Sequence, residues 1–563
     1  MNKRKRLLLL SRILGAHCIF TKKYFMVRKL FFSLILLMSL ISGIAQNNKP
    51  KLVVGLVIDQ MRWDYLYRYS NLYGSGGFKR LLKDGFTAEN TMIPYMPTYT
   101  APGHSCIYTG SVPAINGIAG NNWYDKTADK FVYCTDDSTV NTVGNMGRAG
   151  KMSPANMWTT TITDELRLSN NFKSKVIGIA LKDRGAILPA GHSANAAYWY
   201  DAGKWITSTH YMTALPTWVT AYNDKDVPGK WMATDWNTLL PLNKYDLSTA
   251  DDKVYENTIR GEKTVVFPHK LSAIGANDKY EAFRTTPFAN TYTLDFAKAA
   301  IESERLGKNT VTDFLAVSIS STDYIGHAFG PNSIEMEDTY LRLDKDMENF
   351  LIYLDTKMGK GNYLLFLSAD HGVAHIPAFL KEHKIPGGTF EDGDIVNELN
   401  KRIEEKFAVK GAIKTVMNYQ VYLNKKNIID KEKNVNEAIH FVIDALKEKD
   451  FIINAFELDK IQEAALPEPQ KQMISNGYNV KRSGDIQFTF KPGYFDGWNK
   501  GTTHGLWNPY DAHIPCVFFG WGVKPGKTNR ETYMTDIAPT IAAMLQIQMP
   551  NGCVGKVITE AVK

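Results

Sequence analysis

Three carboxylates and three imidazoles in this chain stand where a metal centre would need them. Asp59 closes the apolar run KLVVGLVID. Asp323 and His327 share the stretch STDYIGHAFG at D-x-x-x-H spacing, and Asp370 and His371 are adjacent in LSADHG. His504 lies far along the chain, in GTTHGLW. Taken singly, an Asp after a strand is most often a turn or N-cap residue. A D-x-x-x-H pair is ordinarily an i,i+4 pair on a helix surface. As a set, these oxygen and nitrogen donors suit two zinc ions, each wanting about four ligands with places left for substrate or water. Two such ions about 4 Å apart would clamp the attacking and leaving oxygens of an in-line phosphoryl displacement.

The stretch PTYTAPGH (97–104) holds candidate nucleophiles and no base to activate them. A metal that binds a hydroxyl and lowers its pKa would supply the missing activator. Thr100 is one candidate, with Thr98 and Ser105 as rivals. Pro102 suits the first turn of a helix, so Thr100 would sit where backbone N–H groups and the helix dipole favour an anion. In LKDRGAILPAGH, Lys182 and Arg184 alternate after the apolar run VIGIAL. If the strand continues they point to one side, where two cations would suit a monoester dianion. By itself, K-x-R reads as a solvated strand end. Asn121 and Asn122 in GIAGNN read as a turn. His104, His192 and His513 read as hydrogen-bonded structural histidines.

The elements that must position these residues are short apolar runs ending in polar residues. They are KLVVGLVID (51–59), FLAVSIS (314–320), NYLLFLSAD (362–370) and IPCVFFG (514–520). Such runs suit strands buried on both faces of a mostly parallel sheet. Helix-like stretches lie between them, TTTITDELRLS (159–169) and TYLRLDKDMENFLIYLDTKM (339–358) among them. The alternation predicts an α/β fold with its ligand site at the carboxyl ends of the strands. Residues about 193–290 read as an irregular insertion, and about 376–495 as a cap with charged amphipathic helices.

The formal charge of +8 is misleading. Of 66 Lys and Arg, nine fall in residues 1–45, which hold no Asp or Glu; the other 57 face 58 acidic residues. Nothing in that balance argues for non-specific nucleic-acid binding. With 44% hydrophobic residues the chain can bury a large core. From Met26, a basic start, an apolar core of roughly a dozen residues and Gly43-Ile44-Ala45 read as an export signal. That core is too short to span a bilayer comfortably. No cysteine follows Ala45 to carry a lipid anchor, so a soluble periplasmic or secreted product is expected. The catalytic region is then residues 46–563. Its cysteines Cys106, Cys134, Cys516 and Cys553 permit three disulfide pairings without choosing one.

The order Asp59, Thr100, Asn121, Asp323/His327, Asp370/His371, His504 resembles the alkaline phosphatase superfamily. The branch it most resembles holds nucleotide pyrophosphatases/phosphodiesterases and the PafA-type alkaline phosphatases. The motifs VIDQMRWDYL, PTYTAPGHSCIYTGSVPAINGIAGNNWYD, LKDRGAILPAGH, STDYIGHAFGP, LSADHG, GTTHG and TDIAPTIAAML carry it across residues 52–547. The resemblance implies one zinc on Asp323, His327 and His504, and another on Asp59, Asp370, His371 and the Thr100 oxygen. It selects Thr100 as nucleophile, because the family nucleophile precedes an x-P-x-H run, and it implies a phosphothreonine intermediate. It gives Asn121, Lys182 and Arg184 the phosphoryl oxygens, and so implies a broad-specificity hydrolase of small phosphate monoesters. A phosphodiesterase, or a zinc-stabilised binding protein that has lost hydrolysis, is the alternative. A sulfatase would need an Arg that TYTAPGHS lacks, and the export signal opposes a cytosolic mutase.

Overall fold

The computed structural model describes residues 49–563; the export signal read in residues 1–45 lies outside the described residues. Among these, eleven strands form one central sheet. Its middle is parallel, with Tyr363–Ser368, Leu52–Ile58, Asp313–Ile319, Val176–Ala180 and Ala196–Asp201 side by side in that order. Every residue of the first four is buried. They therefore read as unbroken apolar runs, since neither face meets water. IPCVFFG supplies Cys516–Gly520, a strand that runs antiparallel to Tyr363–Ser368. Helices flank the sheet: Asp183–Ala190 lies against Val176–Ala180 and Ala196–Asp201, and Phe288–Ser303 against Asp313–Ile319.

Both helices read from the sequence are present, each with a polar start. Ile162–Leu168 opens on a capping box in which the Thr161 hydroxyl accepts from Asp164 N–H and the Asp164 carboxylate from Thr161 N–H. Ile334–Met358 is longer than its apolar pattern, because Ser333 caps it by accepting from Met336 N–H.

The stretch 193–290 is irregular only in part. Ala196–Asp201 and Lys204–Ser208 extend the central sheet, and short helices and turns follow. Its aromatic richness serves packing: Trp205 stacks on Tyr292 and Phe296. Within 376–495, four strands make a separate antiparallel sheet, Ile413–Met417, Gln420–Leu423, Ile486–Phe490 and Ile452–Glu457 in order. Its first hairpin turns on Asn418 and Tyr419, both at positive φ, the backbone of a two-residue hairpin loop. Asn418 donates to the Asn122 carbonyl at 2.9 Å and the Tyr419 hydroxyl to the His504 carbonyl at 3.4 Å. The cap sheet thus meets the backbone next to Asn121 and the backbone of His504. No described helix is long and apolar enough to cross a membrane. The cysteines among the described residues are all unpaired.

Candidate active site

The parallel strands end level. Val57 sits opposite Ser368 and Ser318, and Ser318 opposite Ala180. Asp59, Asp370, Asp323 and Lys182 follow four adjacent strands within a few residues, so they emerge along one edge of the sheet, as the fold class leads one to expect. Ligand atoms of Asp323, His327 and His504 lie within 4.8 Å of one another, as do those of Asp59, Asp370 and His371. These are the two groups expected.

Each imidazole is held the same way. His327 Nδ1 donates to the Thr502 carbonyl (2.7 Å), His504 Nδ1 to that of Thr98 (2.8 Å) and His371 Nδ1 to that of Gly372 (3.0 Å). A carbonyl only accepts, so Nδ1 carries a proton in all three rings and Nε2 is the nitrogen that faces the carboxylates, free to offer its lone pair whenever the ring is neutral; the Asp323 charge raises His327 against the cost of burial. His327 Nε2 is 3.2 Å and His504 Nε2 3.5 Å from Asp323 Oδ1; His371 Nε2 is 3.5 Å from Asp59 Oδ1 and from Asp370 Oδ2. Burial holds His371 down to about 3, with the charge of Asp370 acting the other way, and burial also lowers His504. Both are neutral at physiological pH, as metal ligands must be.

The carboxylates carry more charge than the protein offsets. Asp59 is fully buried, with the Lys182 ammonium beside Oδ2 and no hydrogen bond to Oδ1, and Asp370 Oδ2 accepts none. Burial, reinforced by the charges of Asp323 and Asp370, pushes the Asp59 carboxyl well above the usual range. Asp323 is buried too, yet His327 and Lys182 pull it well below that range. One ammonium, Lys182 Nζ, serves both groups, 2.7 Å from Asp59 Oδ2 and 2.5 Å from Asp323 Oδ2. Buried anionic oxygens without donors are costly. The residues therefore fit bound cations, and their mixed N and O donors suit a transition-series divalent ion.

Thr100 opens the helix Thr100–Thr109 and is buried, with Oγ1 3.4 Å from His371 Nε2. Its rivals are occupied elsewhere: the Thr98 hydroxyl donates to the Leu506 carbonyl and the Ser105 hydroxyl to that of Pro102, both at 2.9 Å. The first turn offers an anion less than expected, because Ala101 N–H donates to Asn121 Oδ1 (2.9 Å) and Pro102 has no N–H. That bond sets Asn121 beside Thr100 with its amide NH2 as the end that can donate. The helix approaches this closely because residue 103 is glycine; a Cβ there would meet Asp370 O at 2.4 Å.

Lys182 and Arg184 do not extend a strand. The strand stops at Ala180, Lys182 keeps an extended backbone as the N-cap of Asp183–Ala190, and Arg184 lies in that helix's first turn. Asp183 at the positive end of the dipole favours the helix start, which overrides the two-residue alternation. Lys182 still reaches both ligand groups, whereas Arg184 NH1 donates to the Tyr133 hydroxyl at 3.1 Å. His192 and His513 are structural, bonded to the carbonyls of Thr159 and Glu89. His104 is bonded too, but within the site: Nδ1 is 2.9 Å from the Thr100 carbonyl and 3.2 Å from Asp370 Oδ2. Gln60, which the sequence reading passed over, touches both ligand groups.

Comparison with known proteins agrees with this arrangement. The profile of the type I phosphodiesterase / nucleotide pyrophosphatase family matches residues 53–511. A Myroides odoratus protein named Calcium-transporting ATPase is 56% identical over 92% of this chain and 95% of its own length. Alkaline phosphatase PafA of Elizabethkingia meningoseptica is 51% identical over 94% of this chain and 98% of its own. A crystal structure of wild-type PafA superposes with a TM-score of 0.89, covering 92% of this chain and 99% of that one. The chain belongs to the type I phosphodiesterase / nucleotide pyrophosphatase family of the alkaline phosphatase superfamily, in the group that includes PafA.

Proposed function

We propose that this protein is an exported alkaline phosphatase that hydrolyses small phosphate monoesters at a two-zinc centre, with Thr100 as nucleophile. The observation that carries this reading is that the two ligand groups adjoin, His371 stacking on His504, with the Thr100 hydroxyl 3.4 Å from His371 while Thr98 and Ser105 are bonded to carbonyls. Asp323, His327 and His504 would hold one ion, and Asp59, Asp370 and His371 the other. When bound, the ions supply positive charge that favours the ionised hydroxyl and offsets charge on the leaving oxygen.

The chain's own residues do the rest. The Thr100 oxygen attacks phosphorus in line, forming the Oγ1–P bond as the bond to the leaving alkoxide breaks. Water then adds to phosphorus, breaks the Oγ1–P bond and releases phosphate from a phosphothreonine. The Asn121 amide, Lys182 and Arg184 hold the non-bridging oxygens, where charge persists throughout transfer. His104 and His371 both face Asp370 Oδ2, so His104 helps to hold that carboxylate. Recognition confined to the phosphoryl group implies broad tolerance of leaving groups.

The main alternative is a phosphodiesterase, which needs fewer cations around phosphorus. Turnover of a nitrophenyl phosphate monoester is expected to exceed that of its methyl diester. A preference for the diester would contradict the assignment.

A further inference from the structure

The residue after Asp59 meets both ligand groups, one through its backbone N–H and the other through its side-chain amide. Gln60 N–H donates to Asp370 Oδ1 at 3.1 Å, and its side-chain Nε2 donates to Asp323 Oδ1 at 2.8 Å. Asp370 Oδ1 also accepts from His371 N–H at 3.0 Å, so that oxygen is fully engaged and Oδ2 is left facing His371. Asp323 Oδ1 is the oxygen that faces the Nε2 atoms of His327 and His504. Gln60 thus fixes the rotation of one carboxylate in each group.

The fit is specific. Gln60 is 1% exposed, and its backbone is left-handed, at φ 65, a conformation that a side chain of this kind adopts only when its surroundings demand it. Its Oε1 is buried with no donor. The amide cannot turn over to seek one, because that would set Oε1 against the Asp323 carboxylate. Room for Oε1 exists because residue 326 is glycine; a Cβ there would meet it at 1.8 Å. On the same loop the Thr322 hydroxyl donates to the Asp59 carbonyl at 2.6 Å. The loop is therefore tied to the helix Ser321–Phe329 at two successive residues.

We propose that Gln60 is a positioning residue that aims the Asp323 carboxylate at its ion and couples the two ligand groups. This rests on the metal-centred reading given above. Groups that hydrogen-bond to metal ligands change affinity by about 10–100-fold when removed.

The test measures zinc affinity by competition with a chromophoric chelator in a His371→Ala chain, which keeps the Asp323, His327 and His504 group whole. Gln60→Met keeps the length and removes the donor, while Gln60→Gly removes the side chain and suits the left-handed backbone. Both are expected to bind zinc about 10–100-fold more weakly than their parent. An affinity within twofold of the parent's in either variant overturns the inference, whatever happens to the melting temperature. Failure of the parent, which carries Gln60, to bind zinc would instead remove the metal centre on which both readings stand.

Discussion

Lys182 is the residue whose removal should separate monoester from diester chemistry. Its ammonium stands between Asp59 and Asp323, and both carboxylates hold it protonated against the cost of burial. Removing one such electrostatic donor costs about 10²–10³ in rate where charge must be stabilised. Lys182→Ala is expected to lower monoester kcat/KM by about that factor while the methyl diester loses less than about tenfold. Equal losses on both substrates would assign Lys182 to holding the carboxylates instead. At this scale the sequence was informative where a residue's neighbours in the chain share its job. Asp370-His371 and D-x-x-x-H show their ligand character locally. Gln60 and His104 do not, because each meets Asp370 only in the folded chain, Gln60 from 310 residues away.

Elements decide how those residues meet. The apolar runs announced the four inner strands, since burial on both faces leaves a plain signature. Phe86–Met92 (FTAENTM) and Gly526–Tyr533 (GKTNRETY) pair with each other without such a signature, the latter being mostly exposed. Lys182 and Arg184 show a period-two pattern losing to helix capping. The irregular segment before Phe288–Ser303 holds its own buried charge network. His269 lies between Glu262 (2.9 Å) and Glu335 (3.3 Å), and those contacts lift it to about 9 despite burial. Glu256 is buried there with Oε2 unpartnered; burial, Glu335 and Asp251 push it up to about 10. Between the ordinary carboxylate range and that value the folded chain keeps a proton the unfolded chain has released, so this contribution to stability is lost as pH rises. Glu256→Gln cannot ionise. It is expected to melt higher than the wild type by a margin that widens from pH 5 to pH 8, reaching on the order of 2 kcal/mol. A constant or narrowing margin in paired thermal melts would contradict this.

The whole molecule places a cation-hungry centre between the edge of a buried parallel sheet and a cap that touches it through Asn418 and Tyr419. Ligands that bind only the folded state stabilise it by about 4 kcal/mol at a thousandfold excess over Kd. Chelation is therefore expected to lower the melting temperature and abolish turnover together. Zinc should restore both and calcium neither, because imidazole donors favour the softer ion. Recovery with calcium alone would contradict the donor-set argument. The central claim, covalent transfer to Thr100, is tested most directly by quenching the enzyme into acid during monoester turnover and mapping phosphate by mass spectrometry. The expected result is phosphate on Thr100, absent from a Thr100→Ala chain that has lost turnover. Turnover with no phosphorylated chain, or with phosphate on Thr98 or Ser105, would contradict the account.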